Sequence, residues 1–114
     1  MKRAMTMVCA GVWSLTLVAG SALAGSSAGR LSVLGVTDDN MLVFMAGTHI
    51  DMPRCVKRGG TWAISLSRTG AQAMLNLLRT AGERAVVRVE GTGLCDDMVH
   101  HERPREVLLE YPGR

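Results

Sequence analysis

Thr61–Cys95, TWAISLSRTGAQAMLNLLRTAGERAVVRVEGTGLC, decides the fold, because its hydrophobic period changes twice within 35 residues. Across Thr61–Ser67, Trp62, Ile64 and Leu66 alternate with Ala63 and Ser65, the period of two expected of a half-buried strand. From Ala71 onward the apolar positions Met74, Leu75, Leu78 and Ala81 recur at steps of three and four, which places them on one helical face. Leu77 widens that stripe, while Gln72, Asn76 and Arg79 fall opposite. Thr69 and Gln72 have capping-box spacing for the helix start, and Gly82 can end the helix with a positive φ. The period of two then returns. Ala85, Val87 and Val89 alternate with Val86, Arg88 and Glu90, and Gly91-Thr92-Gly93 turns the chain into Cys95.

Upstream, residues 1–24 combine Lys2 and Arg3, an apolar run from Ala4 to Gly20, and the small-residue signal Ala22-Leu23-Ala24. They are read as a secretory signal peptide cleaved after Ala24. A transmembrane anchor fits less well, since Gly11, Ser14, Thr16 and Gly20 interrupt a run that must hold about twenty apolar residues to span a bilayer. Cys9 leaves with the signal. Of 13 Lys and Arg, Lys2 and Arg3 are also lost, leaving eleven against ten Asp and Glu. The exported chain is nearly neutral, so the basic balance of the whole sequence is not a nucleic-acid footprint.

The remaining chain, roughly 90 residues, buries little more than 60% of its surface on folding and benefits from a covalent brace. Cys55 and Cys95 provide one, as the two cysteines left in an exported chain. A bridge closing about 40 residues stabilises by roughly 4 kcal/mol in the chain-entropy treatment. Residues 25–29 read as a flexible spacer. Arg30–Thr37 and Met41–Ala46 read as a hairpin turned at Asp38-Asp39-Asn40, with a bulge or bend expected at Gly35. Residues 47–60 form a long polar loop with the basic cluster Arg54, Lys57 and Arg58 around Cys55. A second loop follows Cys95, and Glu106–Tyr111 alternates as a terminal strand.

The order β-β-β-α-β-β is that of a small five-stranded OB-fold-like barrel, giving a mainly β domain over residues 30–114. The run Cys55, Trp62, the helix with Ala71, Leu75, Leu77, Leu78 and Ala81, then Arg84–Val89 and Gly91–Cys95 resembles a group of small secreted bacterial proteins. More remotely it is similar to the pentameric B subunits of bacterial toxins of the subtilase-cytotoxin and pertussis type. That resemblance covers about 40 residues. The aromatic and serine positions by which those subunits hold sialylated glycans have no match here, nor does a second disulfide, and no site residue is carried over.

Chemistry-bearing motifs are sparse. His49, Asp51, Asp96, Asp97, His100 and His101 could converge if the bridge joined their loops, but they lack zinc-ligand spacing and read as solvated loop residues. Glu83, Glu90, Glu102, Glu106 and Glu110 fall at positions read as exposed. No H-E-x-x-H, phosphate-binding loop or cysteine nucleophile occurs. Trp62, Phe44 and Tyr111 are too few for binding single-stranded nucleic acid by stacking. The expectation is a non-enzymatic, periplasmic or secreted binding module with no cofactor or metal and no membrane span once cleaved. It would take a glycan or envelope protein as partner, as a possible homo-oligomer, with Arg54, Lys57 and Arg58 as the candidate rim. The alternative is a structural envelope protein or small inhibitor without a ligand site.

Overall fold

A computed structural model describes residues 23–57 and 59–113. The expected signal segment up to residue 22, and Arg58, lie outside the described residues. Among the described residues, six strands and one helix follow in the order β1 (Ser26–Gly29), β2 (Leu31–Val36), β3 (Met41–Ala46), β4 (Trp62–Ser65), α1 (Ala71–Ala81), β5 (Val86–Gly91) and β6 (Pro104–Glu110). They make two three-stranded antiparallel sheets, β1-β5-β6 and β2-β3-β4.

The expected spacer at 25–29 is instead largely strand. Ser26–Gly29 pairs with Val87–Glu90, and Ser26 also exchanges backbone hydrogen bonds with Ile50. Small residues suit this position because neighbouring backbone comes so close. A Cβ on Gly29 would lie 2.5 Å from the Gly47 Cα, inside contact distance. The described residues therefore hold six strands, not five, with β1 and β2 separated only by Arg30 and assigned to different sheets.

The β2–β3 hairpin turns at Thr37–Asn40. Asn40 takes φ 63°, as its turn position requires, and its N–H donates to the Thr37 carbonyl at 3.0 Å. The ladder irregularity falls between Leu31 and Val33, whereas Gly35 pairs regularly with Val43. The strand expected over Thr61–Ser67 is shorter and buried on both faces: Trp62, Ala63 and Ile64 are all in the interior. Alternation there reflects two packed faces, with Ala63 small enough for the tighter one.

The helix begins at Gly70, which adopts a left-handed conformation (φ 90°) without a side-chain cap bond, so the expected capping box of Thr69 and Gln72 does not form. Gly82 ends it with φ 64° and ψ −166°, an extended positive-φ conformation open essentially to glycine. Ala71, Leu78 and Ala81 are buried, and Met74 and Leu75 pack partly against the core. Gln72, Asn76 and Arg79 face outward, as does Leu77 in part. The core joins this face to Leu42, Phe44, Trp62, Ile64, Val87 and Val89, with Phe44 and Trp62 stacked at a centroid distance of 6.5 Å. β6 ends at Glu110, leaving Tyr111 exposed beyond it.

Leu78→Ala should cost about 2–5 kcal/mol because the helix cannot fully collapse onto the space left behind. Leu75→Ala, at a half-buried position, should cost less, and Arg79→Ala under about 0.5 kcal/mol. Urea titration of the three variants checks the ranking.

Candidate functional site

Two polar loops, residues 47–60 and 92–103, meet at one end of the molecule. Cys55 and Cys95 are bridged across them with Cα atoms 6.0 Å apart. The Lys57 N–H donates to the His100 carbonyl at 3.4 Å. The third link is buried. Glu102, read from sequence as exposed, has no solvent exposure at all. Its Oε1 lies 2.8 Å from His49 Nε2, and its Oε2 accepts from the Gly93 N–H at 2.8 Å and the Gly25 N–H at 3.0 Å. Three donors on one carboxylate explain how an acidic group can occupy the interior, where an unpaired one would be costly.

His49 lies under the same cover. Its ring stacks on Trp62 at a centroid distance of 3.9 Å and 21° between planes. With a carboxylate as acceptor, the ring donates from Nε2, and its buried Nδ1 has no hydrogen-bond partner. Trp62 completes the assembly by donating its indole N–H to Ser27 Oγ at 3.0 Å. Glycines fit the backbone around it: a Cβ would lie 1.9 Å from Glu102 Oε2 at Gly91, 2.7 Å from Oε1 at Gly25, and 2.7 Å from His49 Cβ at Gly60.

Residues 25–29, Gly-Ser-Ser-Ala-Gly, spell G-x-S-x-G, against the expectation that no such run occurs in the chain. A serine, a histidine and a glutamate in one cluster invite comparison with a hydrolase triad, but the arrangement fails on geometry. Ser27 lies on a strand and not at a strand-to-helix elbow, it is buried, and its hydroxyl meets the Trp62 indole. The histidine nitrogen that would have to take its proton is unpartnered. The cluster holds β1, β4 and the two loops together.

The other candidate ligands are engaged separately. Asp97 accepts from Arg68 Nε at 2.7 Å and from the Ser65 N–H at 2.8 Å, while Asp96 accepts from Arg103 Nε at 2.8 Å. The Arg68 hydrogen bond holds the Asp97 carboxyl below the ordinary carboxylate range, overcoming partial desolvation, and Arg103 does the same for Asp96. Asp97 in turn raises Arg68. His101 Nδ1 donates to the Val99 carbonyl at 2.8 Å, His100 is exposed with φ 69°, and Asp51 is exposed with φ 53°. Among the described residues, no group of three or more His, Cys, Asp and Glu is placed to hold a metal ion.

Of the basic rim, Arg54 and Lys57 are exposed and, among the described residues, form no ion pair. Arg54 lines an open cavity of about 360 Å³ with Leu23, Met52, Pro53, Cys55 and Gly93. A neighbouring groove of about 400 Å³ runs past Met45, Gly47, Thr48, His49, Met52, Gly59 and Gly60. No helix among the described residues is long and apolar enough to cross a membrane. Comparison with protein-family models, with curated proteins and with solved structures finds no match.

Gly91→Ala should destabilise by more than about 3 kcal/mol or prevent folding, since the new methyl falls on a carboxylate held from three sides. Gly113→Ala, with open space around it, should melt like the parent. Asp96 and Asp97 make a separate pH prediction. Each carboxyl has a lowered folded-state pKa, so its stabilisation is full above the unfolded value near about 4 and is lost as pH falls through the folded value. The Tm should therefore drop from pH 5 toward pH 2. Asp97→Asn should be less stable at pH 6 and show a shallower drop.

Proposed function

We propose that the exported chain is a non-catalytic binding module on an OB-type barrel, recognising an acidic ligand through the rim beside the disulfide. Counting β1 and β2 as one strand interrupted at Arg30 restores the five-stranded order, with that strand contributing to both sheets. On this reading the barrel closes between β4 and the segment leading into β6, where the Ala63 N–H donates to the Glu102 carbonyl at 3.2 Å. Periplasmic or extracellular location draws support from the Cys55–Cys95 bridge, a bond that persists in oxidising compartments.

The observation that carries the binding reading is the contrast among the cations near the two loops. Arg68 and Arg103 are neutralised by Asp96 and Asp97, whereas Arg54 and Lys57 form no ion pair among the described residues, and Arg54 lines a cavity with Met52 and Pro53 that opens further when Leu23 leaves with the signal. A guanidinium next to apolar surface suits a ligand that is both acidic and partly apolar, such as a sugar acid on a glycan or an anionic envelope component. Enclosure of the buried His49–Glu102 pair speaks against substrate turnover there. Self-association has a candidate surface in the edge strand β2, where Val33, Leu34 and Val36 are 37–51% exposed.

Replacing Arg54, Lys57 and Arg58 together by Ser should reduce binding to sialylated glycans or isolated envelope material about ten-fold or more and leave the Tm nearly unchanged. Absence of measurable binding by the parent in both assays would leave the structural alternative in its place. Mass in solution tests self-association.

A further inference from the structure

The residue expected to become the first of the exported chain is already fastened to the buried carboxylate. Leu23 and Ala24 are exposed, while Gly25 is buried. The Gly25 nitrogen lies 3.0 Å from Glu102 Oε2, and the Gly25 carbonyl accepts from the Gly91 N–H at 2.9 Å. The next residue is locked as well, by the paired hydrogen bonds of Ser26 with Ile50. The chain thus passes from solvent into the fold at the Ala24–Gly25 bond, the position at which Ala22-Leu23-Ala24 directs cleavage.

We infer that the α-ammonium group of Gly25, released by signal cleavage, is the missing counter-charge of Glu102, and that the mature fold is secured by this buried terminal ion pair. Hydrolysis of the Ala24–Gly25 bond by an export peptidase consumes one water. The acyl carbon departs with Ala24 as a carboxylate, and the nitrogen stays on Gly25 as an amine that takes up a proton. The peptide N–H at 3.0 Å becomes a charged donor in the same place, and a charge-assisted bond is roughly twice as strong as a neutral one.

Two observations say that the site is built for such a terminus. Among the described residues, no lysine or arginine is within ion-pair distance of Glu102, although it is the most deeply buried carboxylate. His49, at 2.8 Å, brings a positive charge only when protonated, and a buried carboxylate is costly unless paired, so a cation at the Gly25 nitrogen supplies what neutral donors do not. The first residue must also be glycine. A Cβ on Gly25 would lie 2.7 Å from Glu102 Oε1, 2.8 Å from His49 Nε2 and 2.8 Å from the Ile50 carbonyl.

The inference rests on the export reading, and one experiment separates the two. After removal of residues 1–24 the chain has two primary amines, the Gly25 terminus and the exposed Lys57. The exported protein is weighed intact, then treated with a limiting amine-acylating reagent in native buffer and in urea, and the two sites are quantified by peptide mapping. The expected mass is that of a chain starting at Gly25. Acylation of Gly25 relative to Lys57 should be at least about ten-fold slower in the native protein than in urea, as for any group reached only by opening the fold.

A chain still beginning at Met1 defeats both the export reading and the inference. A chain starting at Gly25 whose amine reacts equally in both buffers defeats the inference alone. Raising the pH then separates ion pairing from burial. An ammonium paired with the Glu102 carboxylate would have its folded-state pKa raised by that negative charge. Its stabilisation is full below the unfolded α-amine value of about 7.7–8.0 and is lost as pH rises through the folded value. The Tm should fall between pH 7.5 and 9.5 in the mature protein, and Glu102→Gln should abolish that fall or fail to fold. A flat profile in the mature protein overturns the ion pair.

Discussion

A carboxylate in the interior sets the terms for this fold. Glu102 cannot be solvated where it lies, so its two oxygens must be met by the protein, and they are met from three separate parts of the chain: Gly25 before β1, His49 in the first long loop and Gly93 after β5. Each donor fixes a segment that has little apolar surface of its own. The cost of leaving such a group unmet, several kcal/mol, is a substantial part of the stability of a small domain. Trp62 couples this polar assembly to the core, since it stacks on His49, bonds to Ser27 and packs against Phe44.

The disulfide and the carboxylate divide the work of holding the loops. Cys55–Cys95 joins the loops and restricts the unfolded chain. It does not choose backbone positions with the precision of hydrogen bonds of 2.8–3.0 Å. Glu102 does, and the close approach it enforces accounts for glycine at 25 and 91. On the outside of the same loops, Asp96 and Asp97 pin Arg68 and Arg103, which anchors the second loop to the segment leading into the helix. Among the described residues Arg54 and Lys57 form no ion pair there, and the binding proposal rests on them.

Regular elements were legible in the sequence wherever a single period ran for several residues. The helix face of Ala71, Leu78 and Ala81, the alternation of Ala85, Val87 and Val89 and the turn at Asn40 follow from such local signals, and the cysteine pairing from there being two cysteines after residue 24. Ser26–Gly29 carries no hydrophobic pattern, and its strand exists because β5 and Ile50 offer backbone partners on both sides. Glu102 lay hidden for a similar reason. Between His101 and Arg103 it sits in a polar run, and nothing local marks it as buried. The signal that was present lies elsewhere, in the glycines at 25, 60 and 91, whose common cause is the space that Glu102 and His49 occupy.

Amide hydrogen exchange at Gly93 tests the central role of the buried carboxylate most directly. Gly93 lies in a loop outside every strand, and its N–H is bonded to Glu102 Oε2 and not to another strand. With Glu102 enclosed as described, the Gly93 amide should exchange only through global unfolding, at the same opening free energy as Val87 and Val89 in the core. Exchange at the rate of the exposed Val99 amide in the same loop would mean that the carboxylate is solvated and that something else holds the loops in place.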